Sequence, residues 1–144
     1  MKKRSAVDLV NLACGAVVGR GVFRTVFECR FNPEWVLKHD TQENRSNIFE
    51  HSLWNELRGT ALEKWLAPVE WISDDGFWLV QQKTEPLRRA DLPKKVPSIF
   101  CDLKLANWGM LNGRPVCHDY GNSLLYALAR KHGAALKNAN WMDT

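Results

Sequence analysis

The sequence lacks any long hydrophobic run, and this absence argues against a membrane-spanning helix or a secretion signal. It also lacks a Cys-x-x-Cys pair, an internal repeat and a low-complexity segment. The four cysteines are too sparse for the disulfide framework of a small secreted domain, so we expect buried thiols. They are Cys14, Cys29, Cys101 and Cys117. Together these absences predict a soluble cytoplasmic protein that does not enter a membrane.

A strong charge of either sign is missing as well. Twenty Lys and Arg against sixteen Asp and Glu give a net charge of +4. This excess permits an acidic partner without demanding one, and no recognised nucleic-acid-binding module accompanies it, so nucleic acid is not the expected ligand. The 144 residues, 45% hydrophobic and 25% charged, suit one globular domain.

The first half of the chain alternates between β-forming and helical patterns. Val, Phe, Trp and Ile are concentrated in the predicted strands, whereas apolar residues recur at three-to-four spacing in the predicted main helix. The predicted elements are, in order, a short helix capped by Ser5 and Asp8 and ending near Gly15, two strands joined by a glycine turn at 17–30, a strand at 34–39, a helix at 48–65, and a hairpin with strands at 69–73 and 77–82 around Asp74-Asp75-Gly76.

The second half begins with a segment that cannot form a long helix, because 83–98 holds three of the six prolines. Beyond it, Asn112-Gly113 lies between the β-forming runs 108–111 and 114–118, which is the strongest short-range signal for a hairpin. A closing helix is predicted at 123–137, capped by Asn122 or Ser123.

The register of that hairpin brings oxygen-bearing side chains together. A two-residue turn pairs 111 with 114, which sets Asn107 opposite His118 and beside Asp119, and Asp102 lies five residues before Asn107. Such an oxygen cluster is typical of a site that holds Mg²⁺ next to a phosphate. Alternatively, these residues are turn formers and helix caps.

Five short motifs occur in an order that resembles the signature set of the eukaryotic-type protein kinases. The resemblance extends from about Gly19 to Gly121. The motifs are the glycine-rich turn Gly19-Arg20-Gly21, the strand lysine Lys38, the helix glutamate Glu56, the loop Asp102-Leu103-Lys104-Leu105-Ala106-Asn107, and the triplet Asp119-Tyr120-Gly121.

The resemblance implies an ATP site in the first half of the chain. Gly19 and Gly21 would let backbone N–H groups approach the phosphates, or they merely shape a tight hairpin. Lys38 would pair with the α- and β-phosphates, or it is a solvated strand lysine. Glu56 is the preferred partner of Lys38, with Glu50 as its competitor. The remaining ATP-binding residues that the resemblance implies are Val26 and Gln82, the latter in a hinge whose backbone faces adenine.

The resemblance also implies the catalytic and magnesium-binding residues. Asp102 would orient or deprotonate the attacking hydroxyl, and Asn107 and Asp119 would hold Mg²⁺. Lys104 occupies the place of the lysine that contacts the γ-phosphate in serine/threonine kinases. This lysine favours a protein kinase over a small-molecule kinase of the aminoglycoside-phosphotransferase type.

The chain departs from the kinase pattern in several places. Phe100-Cys101 replaces the His-Arg pair before the catalytic aspartate, so regulation by activation-loop phosphorylation is not expected. Arg24 replaces the third glycine of the loop, and Tyr120 replaces the Phe of the triplet. The helical part is much shorter than in a full kinase, which predicts an apolar surface covered by a host protein or a second copy, with Trp108 and Trp141 either at that surface or in the core.

The expected fold is therefore α+β, with a kinase-like N-lobe of five antiparallel strands and one long helix, and a strongly reduced C-lobe made of the catalytic-loop hairpin and one or two helices. The expected organisation is one domain, with the N-lobe at 1–82, a Pro-rich linker at 83–97 and the C-lobe at 98–144.

The expected function is a minimal kinase using ATP and Mg²⁺ on a protein substrate or on itself. The alternative is a pseudokinase that grips and inhibits a target protein. So compact a chain suggests a phage, in which case the location is the host cytoplasm.

Overall fold

The computed structural model describes residues 10–41 and 43–143. Residues 10–13 are helical, whereas the predicted cap at Ser5 and Asp8 lies outside the described residues. The helices are α1 (Ser46–Leu57) and α2 (Ser123–His132), and the strands are β1 (Cys14–Arg20), β2 (Arg24–Cys29), β3 (Trp35–Asp40), β4 (Val69–Ile72), β5 (Trp78–Gln82), β6 (Lys95–Pro97), β7 (Trp108–Leu111), β8 (Arg114–Cys117) and β9 (Leu136–Asn138).

The main sheet confirms the predicted α+β class. Its five strands are antiparallel and follow the order β1-β2-β3-β5-β4. The turn between β4 and β5 contains Gly76 at φ 77°, a left-handed conformation that glycine adopts without strain. Five successive pairs, from Arg24 with Asp40 to Glu28 with Val36, hold β2 and β3 in a fixed register.

Helix α1 is shorter than the sequence predicts, ending at Leu57 rather than near Trp65. The hydroxyl of Thr60 donates to the Leu57 carbonyl at 2.6 Å, and Gly59 adopts φ 82°, so the chain turns away from the helix axis. A separate 3-10 turn follows at Glu63–Trp65. The apolar periodicity continued past Leu57 because both segments pack on the same core.

The hairpin of β7 and β8 has the predicted register. Asn112 and Gly113 adopt φ 51° and 77°, Leu111 pairs with Arg114, and the His118 N–H donates to the Asn107 carbonyl at 2.9 Å. Positive φ at both central turn residues matches the right-handed twist of the strands. The local turn chemistry therefore sets where Asn107 and Asp119 meet.

The C-terminal part differs from the prediction in one respect. Helix α2 has the predicted cap, with the Asn122 side chain accepting from the Leu125 N–H at 2.7 Å, but it ends at His132 before Gly133 at φ 57°. Residues predicted as its last turn form β9, which pairs with β6 from the Pro-rich segment. Neither strand of this small sheet has a recognisable periodic pattern, since each has three residues.

One large hydrophobic cluster joins the two halves of the chain. Trp108 is buried in it, and its ring meets those of Phe100 and Trp141 edge-on at centroid distances of 5.1 and 5.2 Å. The Trp141 indole N–H donates to the Pro93 carbonyl at 2.9 Å. Trp108 and Trp141 therefore pack within the protein, Trp108 buried and Trp141 partly buried.

The predicted burial of the cysteines holds for two of them. Cys29 and Cys117 are buried, Cys14 is half-buried, and Cys101 is exposed. Among residues 10–41 and 43–143, no helix is both long enough and apolar enough to cross a membrane.

Candidate functional site

Four charged side chains meet where the main sheet, α1 and the segment after β8 come together. We call Arg24, Lys38, Glu50 and Asp119 the charge cluster. Glu50 is 0% exposed and Lys38 is 3% exposed, whereas the Asp119 side chain is half exposed. Burying charge in a protein is costly unless each group is paired and hydrogen-bonded. Each member of the cluster meets this condition through another member.

Glu50 is the centre of the charge cluster. Its Oε1 accepts from Lys38 Nζ at 2.6 Å, and its two carboxylate oxygens accept from Nη1 and Nη2 of Arg24 at 3.0 and 3.1 Å. The Gln81 side-chain amide also donates to Oε1, at 3.4 Å. The forked guanidinium matches the carboxylate geometry, which makes this the stronger type of ion pair.

The predicted pairing of Lys38 with Glu56 is wrong, and Glu50 takes that place. The Glu56 side chain is 49% exposed and lies 3.8 Å from Arg130 and 3.4 Å from the Tyr126 hydroxyl. Six residues along a helix turn the side chain by about 240°, so Glu50 and Glu56 cannot both face the sheet. Spacing along the chain did not reveal which of the two faces Lys38.

The pKa values reflect this mutual pairing. Burial alone would raise the pKa of Glu50, but the cations of Arg24 and Lys38 hold it at about 2. Burial lowers the pKa of Lys38, an effect that Glu50 opposes. For Arg24, burial would lower the pKa, but Glu50 and Asp119 raise it. At neutral pH Glu50 and Arg24 are therefore held in their charged forms.

Three contacts tie the segment after β8 to the charge cluster. Lys38 Nζ donates to the His118 carbonyl, Arg24 forms an ion pair with Asp119, and the Tyr120 N–H donates to Glu50 Oε2 at 2.9 Å. Next to them, a Cβ on Gly121 would lie 2.2 Å from the Ser46 carbonyl oxygen, so the close approach to α1 requires glycine. The Asp119-Tyr120-Gly121 triplet is thus packed directly against the start of α1.

The Tyr120 ring is completely buried, and its hydroxyl donates to the Ala67 carbonyl at 2.6 Å. His118 is also largely enclosed, with Nδ1 2.8 Å from the Thr84 hydroxyl and Nε2 2.8 Å from the Ala106 carbonyl. Burial, and then the nearby Lys38, lower the pKa of His118. These contacts on both sides fix the backbone that carries Asp119.

Asp119 also lines a small cleft together with Asp102 and Asn107. The structure thus brings together the three oxygen-bearing residues that the hairpin register predicted. The cleft measures about 60 Å³. Within the described part of the chain, no three His, Cys, Asp or Glu side chains form a group that could hold a metal ion. Any cation here would therefore use an amide oxygen, such as that of Asn107, or oxygens of its substrate.

Lys104 stands at the edge of this cleft. Its Nζ lies 3.8 Å from Asp102 Oδ2, and both side chains are about half exposed or more. Solvent reaches both side chains. They are free to contact a ligand from outside the protein.

The glycine turn precedes Arg24 directly. Gly19 lies opposite Val26 in the β1–β2 ladder, and the Gly21 N–H donates to the Arg24 carbonyl at 2.8 Å. Neither glycine has a positive φ, and a Cβ on either would meet neighbouring atoms at ordinary distances of 3.7 Å or more. The fold itself does not require glycine at these two positions.

Gln82 does not present a free N–H for the predicted adenine contact. Its backbone N–H donates to the Pro68 carbonyl at 3.0 Å and its side-chain amide to Glu70 at 2.7 Å. The next N–H, of Lys83, donates to the Glu34 carbonyl at 2.7 Å. Both backbone donors of this predicted hinge are engaged inside the protein.

Sequence reasoning missed two residues of this region. It treated Arg24 as a departure from a glycine pattern, although its guanidinium bridges Glu50 and Asp119. It did not consider Asn47, whose N–H donates to Asp40 at 2.8 Å and whose amide donates to the Lys38 carbonyl at 3.0 Å. No sequence motif signals either role, because the partners come from distant segments.

Comparison with protein-family models gives no match for this chain, and no curated protein matches it in sequence.

Proposed function

We propose that the chain is a minimal protein-kinase-like phosphotransferase that moves the γ-phosphate of ATP to a serine or threonine hydroxyl on a protein or on itself. The observation that carries this proposal is the buried ion pair of Lys38 with Glu50, connected through Arg24 to Asp119 and to the cleft of Asp102 and Asn107. The proposal rests on the motifs and on this arrangement.

The cost of the charge cluster supports a functional role. Apolar residues of similar volume would fill the same place at equal or lower free energy, so stability alone does not explain buried Lys38 and Glu50. Groups with strongly perturbed pKa values are concentrated at functional sites. A buried lysine near a carboxylate-lined cleft suits the binding of phosphate groups.

The glycine turn supports a ligand that comes close to the backbone. Because neither Gly19 nor Gly21 is required by φ or by a steric contact, the absence of side chains there leaves the outer face of the turn open. The Gly21 N–H itself donates to the Arg24 carbonyl, so that donor is not free for a phosphate group. The alternative that these glycines shape the hairpin agrees with the hydrogen bond from Gly21 to Arg24.

In this proposal each residue has one task. Lys38 pairs with the α- and β-phosphates, Asp102 accepts the proton of the attacking hydroxyl, and Lys104 contacts the γ-phosphate. The side-chain oxygens of Asn107 and Asp119 fit a hard cation, and bound Mg²⁺ would neutralise charge on the phosphates. To free Asp119 for this role, Arg24 has to release it.

A pseudokinase that binds and inhibits a target protein is the second candidate, and two observations favour it. Arg24 already neutralises Asp119, and the cleft of about 60 Å³ is far below the roughly 300–1,000 Å³ of most small-molecule sites. Under this alternative the charge cluster holds the scaffold for a protein partner. No nucleic acid is involved in either candidate.

Replacement of Asp102 by asparagine tests the proposal. The Asp102 side chain is 59% exposed, so Asp102→Asn should leave folding intact. We expect transfer from γ-labelled ATP to fall at least about 10²-fold, the typical effect of losing a catalytic base. The rise in melting temperature caused by ATP should persist. Asp74→Asn, at an exposed turn far along the chain, is the matched control and should behave as the native protein.

Three results separate the candidates. Transfer that is equal in the native protein and Asp102→Asn contradicts the assigned base. An ATP-induced rise in melting temperature without any transfer by the native protein supports the pseudokinase. A ligand at 100 times its Kd stabilises a fold by about 2.7 kcal/mol, so an unchanged melting temperature at millimolar ATP contradicts nucleotide binding altogether.

A further inference from the structure

Cys14 and Cys29 face each other across the first two strands of the main sheet. Cys14 is the first residue of β1 and Cys29 is the last residue of β2, and they are direct partners in the antiparallel ladder. The Arg30 N–H donates to the Ala13 carbonyl at 2.7 Å, one residue outside this pair. A ladder bond in that position identifies Cys14 and Cys29 as a non-hydrogen-bonded pair.

This kind of pair has the geometry that a disulfide needs. Its Cα atoms lie about 4.5 Å apart and its side chains project to the same face of the sheet. A disulfide spans Cα distances of about 4.4–6.8 Å. The Cα spacing of such a pair therefore falls within the range that a disulfide bridges.

The surroundings of the two thiols agree with this proximity. Both are free thiols, and both pack on the small hydrophobic cluster formed with Ala13, Leu37 and Val80. Burial and the neighbouring Cys29 raise the pKa of Cys14. Cys117 lies in the separate large cluster, where its thiol contacts the Asp119 carbonyl, and cannot compete for either sulfur.

We propose that Cys14 and Cys29 are a redox-active dithiol that closes to a cross-strand disulfide. The oxidant is a low-molecular-weight disulfide such as glutathione disulfide. Cys14 is the more accessible of the two thiols, and its thiolate, the minor form at neutral pH because its pKa is raised, attacks one sulfur of glutathione disulfide and releases a glutathione thiolate. Cys29, as thiolate, then attacks the Cys14 sulfur of the mixed disulfide and releases the second glutathione thiolate. Two protein S–H bonds and one glutathione S–S bond break, and one protein S–S bond forms. The protein loses two protons and two electrons, which convert glutathione disulfide into two molecules of reduced glutathione.

The disulfide would link the edge strand β1 of the main sheet to its neighbour β2. β1 is an edge strand, held by its ladder with β2, and the bridge joins the two strands at the end opposite the glycine turn. Closing a loop restricts the unfolded chain and keeps the edge strand from separating. Oxidation therefore stabilises the hairpin that carries Arg24. This inference does not depend on the proposed phosphotransferase function.

Peptide mapping of the native, full-length chain tests the proposal. The protein is equilibrated with mixtures of reduced and oxidised glutathione, its remaining thiols are alkylated at low pH, and it is digested with trypsin. Trypsin places the four cysteines in four different peptides. We expect peptides 5–20 and 25–30 to become joined, with a loss of about 2 Da against the two reduced peptides, the mass of two hydrogen atoms.

Thermal melting provides the second measurement. The oxidised native protein should melt several degrees higher than the reduced protein, and dithiothreitol should reverse the change. Cys14→Ala should abolish both the joined peptides and the rise in melting temperature. Cys101→Ala removes an exposed thiol instead, and it should keep both effects.

Three outcomes overturn the proposal. One is stable glutathionylation of Cys14 without the joined peptides. Another is joined peptides that appear in urea but not under native conditions. The third is a set of four unreacted thiols at the most oxidising glutathione ratio.

Discussion

Replacement of Glu50 by glutamine should destabilise the fold strongly, whereas Glu56→Gln on the same helix should have little effect. Glu50 accepts hydrogen bonds from Arg24, Lys38 and the Tyr120 N–H, and it is completely buried. Glutamine keeps the shape but loses the charge, which leaves two buried cations facing a neutral amide. Removing one partner of a buried ion pair costs about 3–5 kcal/mol.

The lowered pKa of Glu50 agrees in direction with a stabilising ion pair of this order. Its value of about 2, against the ordinary 4.5, corresponds to about 3 kcal/mol at about 1.36 kcal/mol per pKa unit. Glu56, by contrast, is half exposed and 3.8 Å from Arg130. Exposed pairs of this kind contribute about 0–1 kcal/mol.

Urea unfolding followed by tryptophan fluorescence and circular dichroism measures both variants. Because domains are typically stable by about 5–15 kcal/mol, Glu50→Gln should lose between about a fifth and all of the free energy of unfolding. Adding Lys38→Met removes one of the unpaired cations, so the double variant should be less destabilised than the sum of the single variants. Equal urea midpoints for Glu50→Gln and Glu56→Gln would refute the reasoning.

Two further predictions concern the metal and pH. Arg24→Ala should increase the Mg²⁺-induced rise in melting temperature and tighten Mg²⁺ binding about tenfold to a hundredfold, because a competing charge-assisted hydrogen bond to Asp119 is worth about 1.5–3 kcal/mol. Arg20→Ala, at an exposed arginine of the neighbouring strand, is the control, and an equal Mg²⁺ response in both variants would contradict the competition. Acidification should destabilise the protein in two stages, because the pKa values of His118 and Glu50 are both lowered in the folded state and the unfolded chain therefore binds protons first. The contribution of His118 to stability is present above its ordinary pKa of 6.5 and falls as the pH drops below that value. The contribution of Glu50 is present above its ordinary pKa of 4.5 and falls from there to about pH 2. Urea midpoints measured between pH 8 and pH 3 should show both stages, His118→Gln should flatten the first, and a constant midpoint from pH 7 to pH 5 would contradict it.

Local chemistry made part of the fold predictable from the sequence. Asn112-Gly113 adopts the turn that its residue types favour, so the register of β7 with β8 and the meeting of Asn107 with Asp119 follow from four residues of chain. The strands of the main sheet were equally visible, because β-branched and aromatic residues are concentrated in them.

Features that depend on distant segments were not predictable in the same way. Arg24 reaches partners 26 and 95 residues away, and nothing near it in the sequence indicates them. The choice between Glu50 and Glu56 depended on the rotation of α1 against the sheet, which the tertiary packing sets. The pairing of β6 with β9 joins two strands of three residues, too short for a periodic pattern.

The continuous hydrophobic cluster has a consequence for how the protein receives any ligand. It extends from Leu53 of α1 and Leu79 of β5 to Trp108 and Tyr120, with no gap between the two halves of the chain. Swinging the halves apart would expose this apolar surface to water at about 25 cal/mol per Å². We therefore expect any conformational change on ligand binding to be confined to side chains such as Arg24 and to the glycine turn. If a ligand binds as proposed, we expect its association rate to be set by diffusion and local rearrangement, and its heat-capacity change to reflect the contact patch alone.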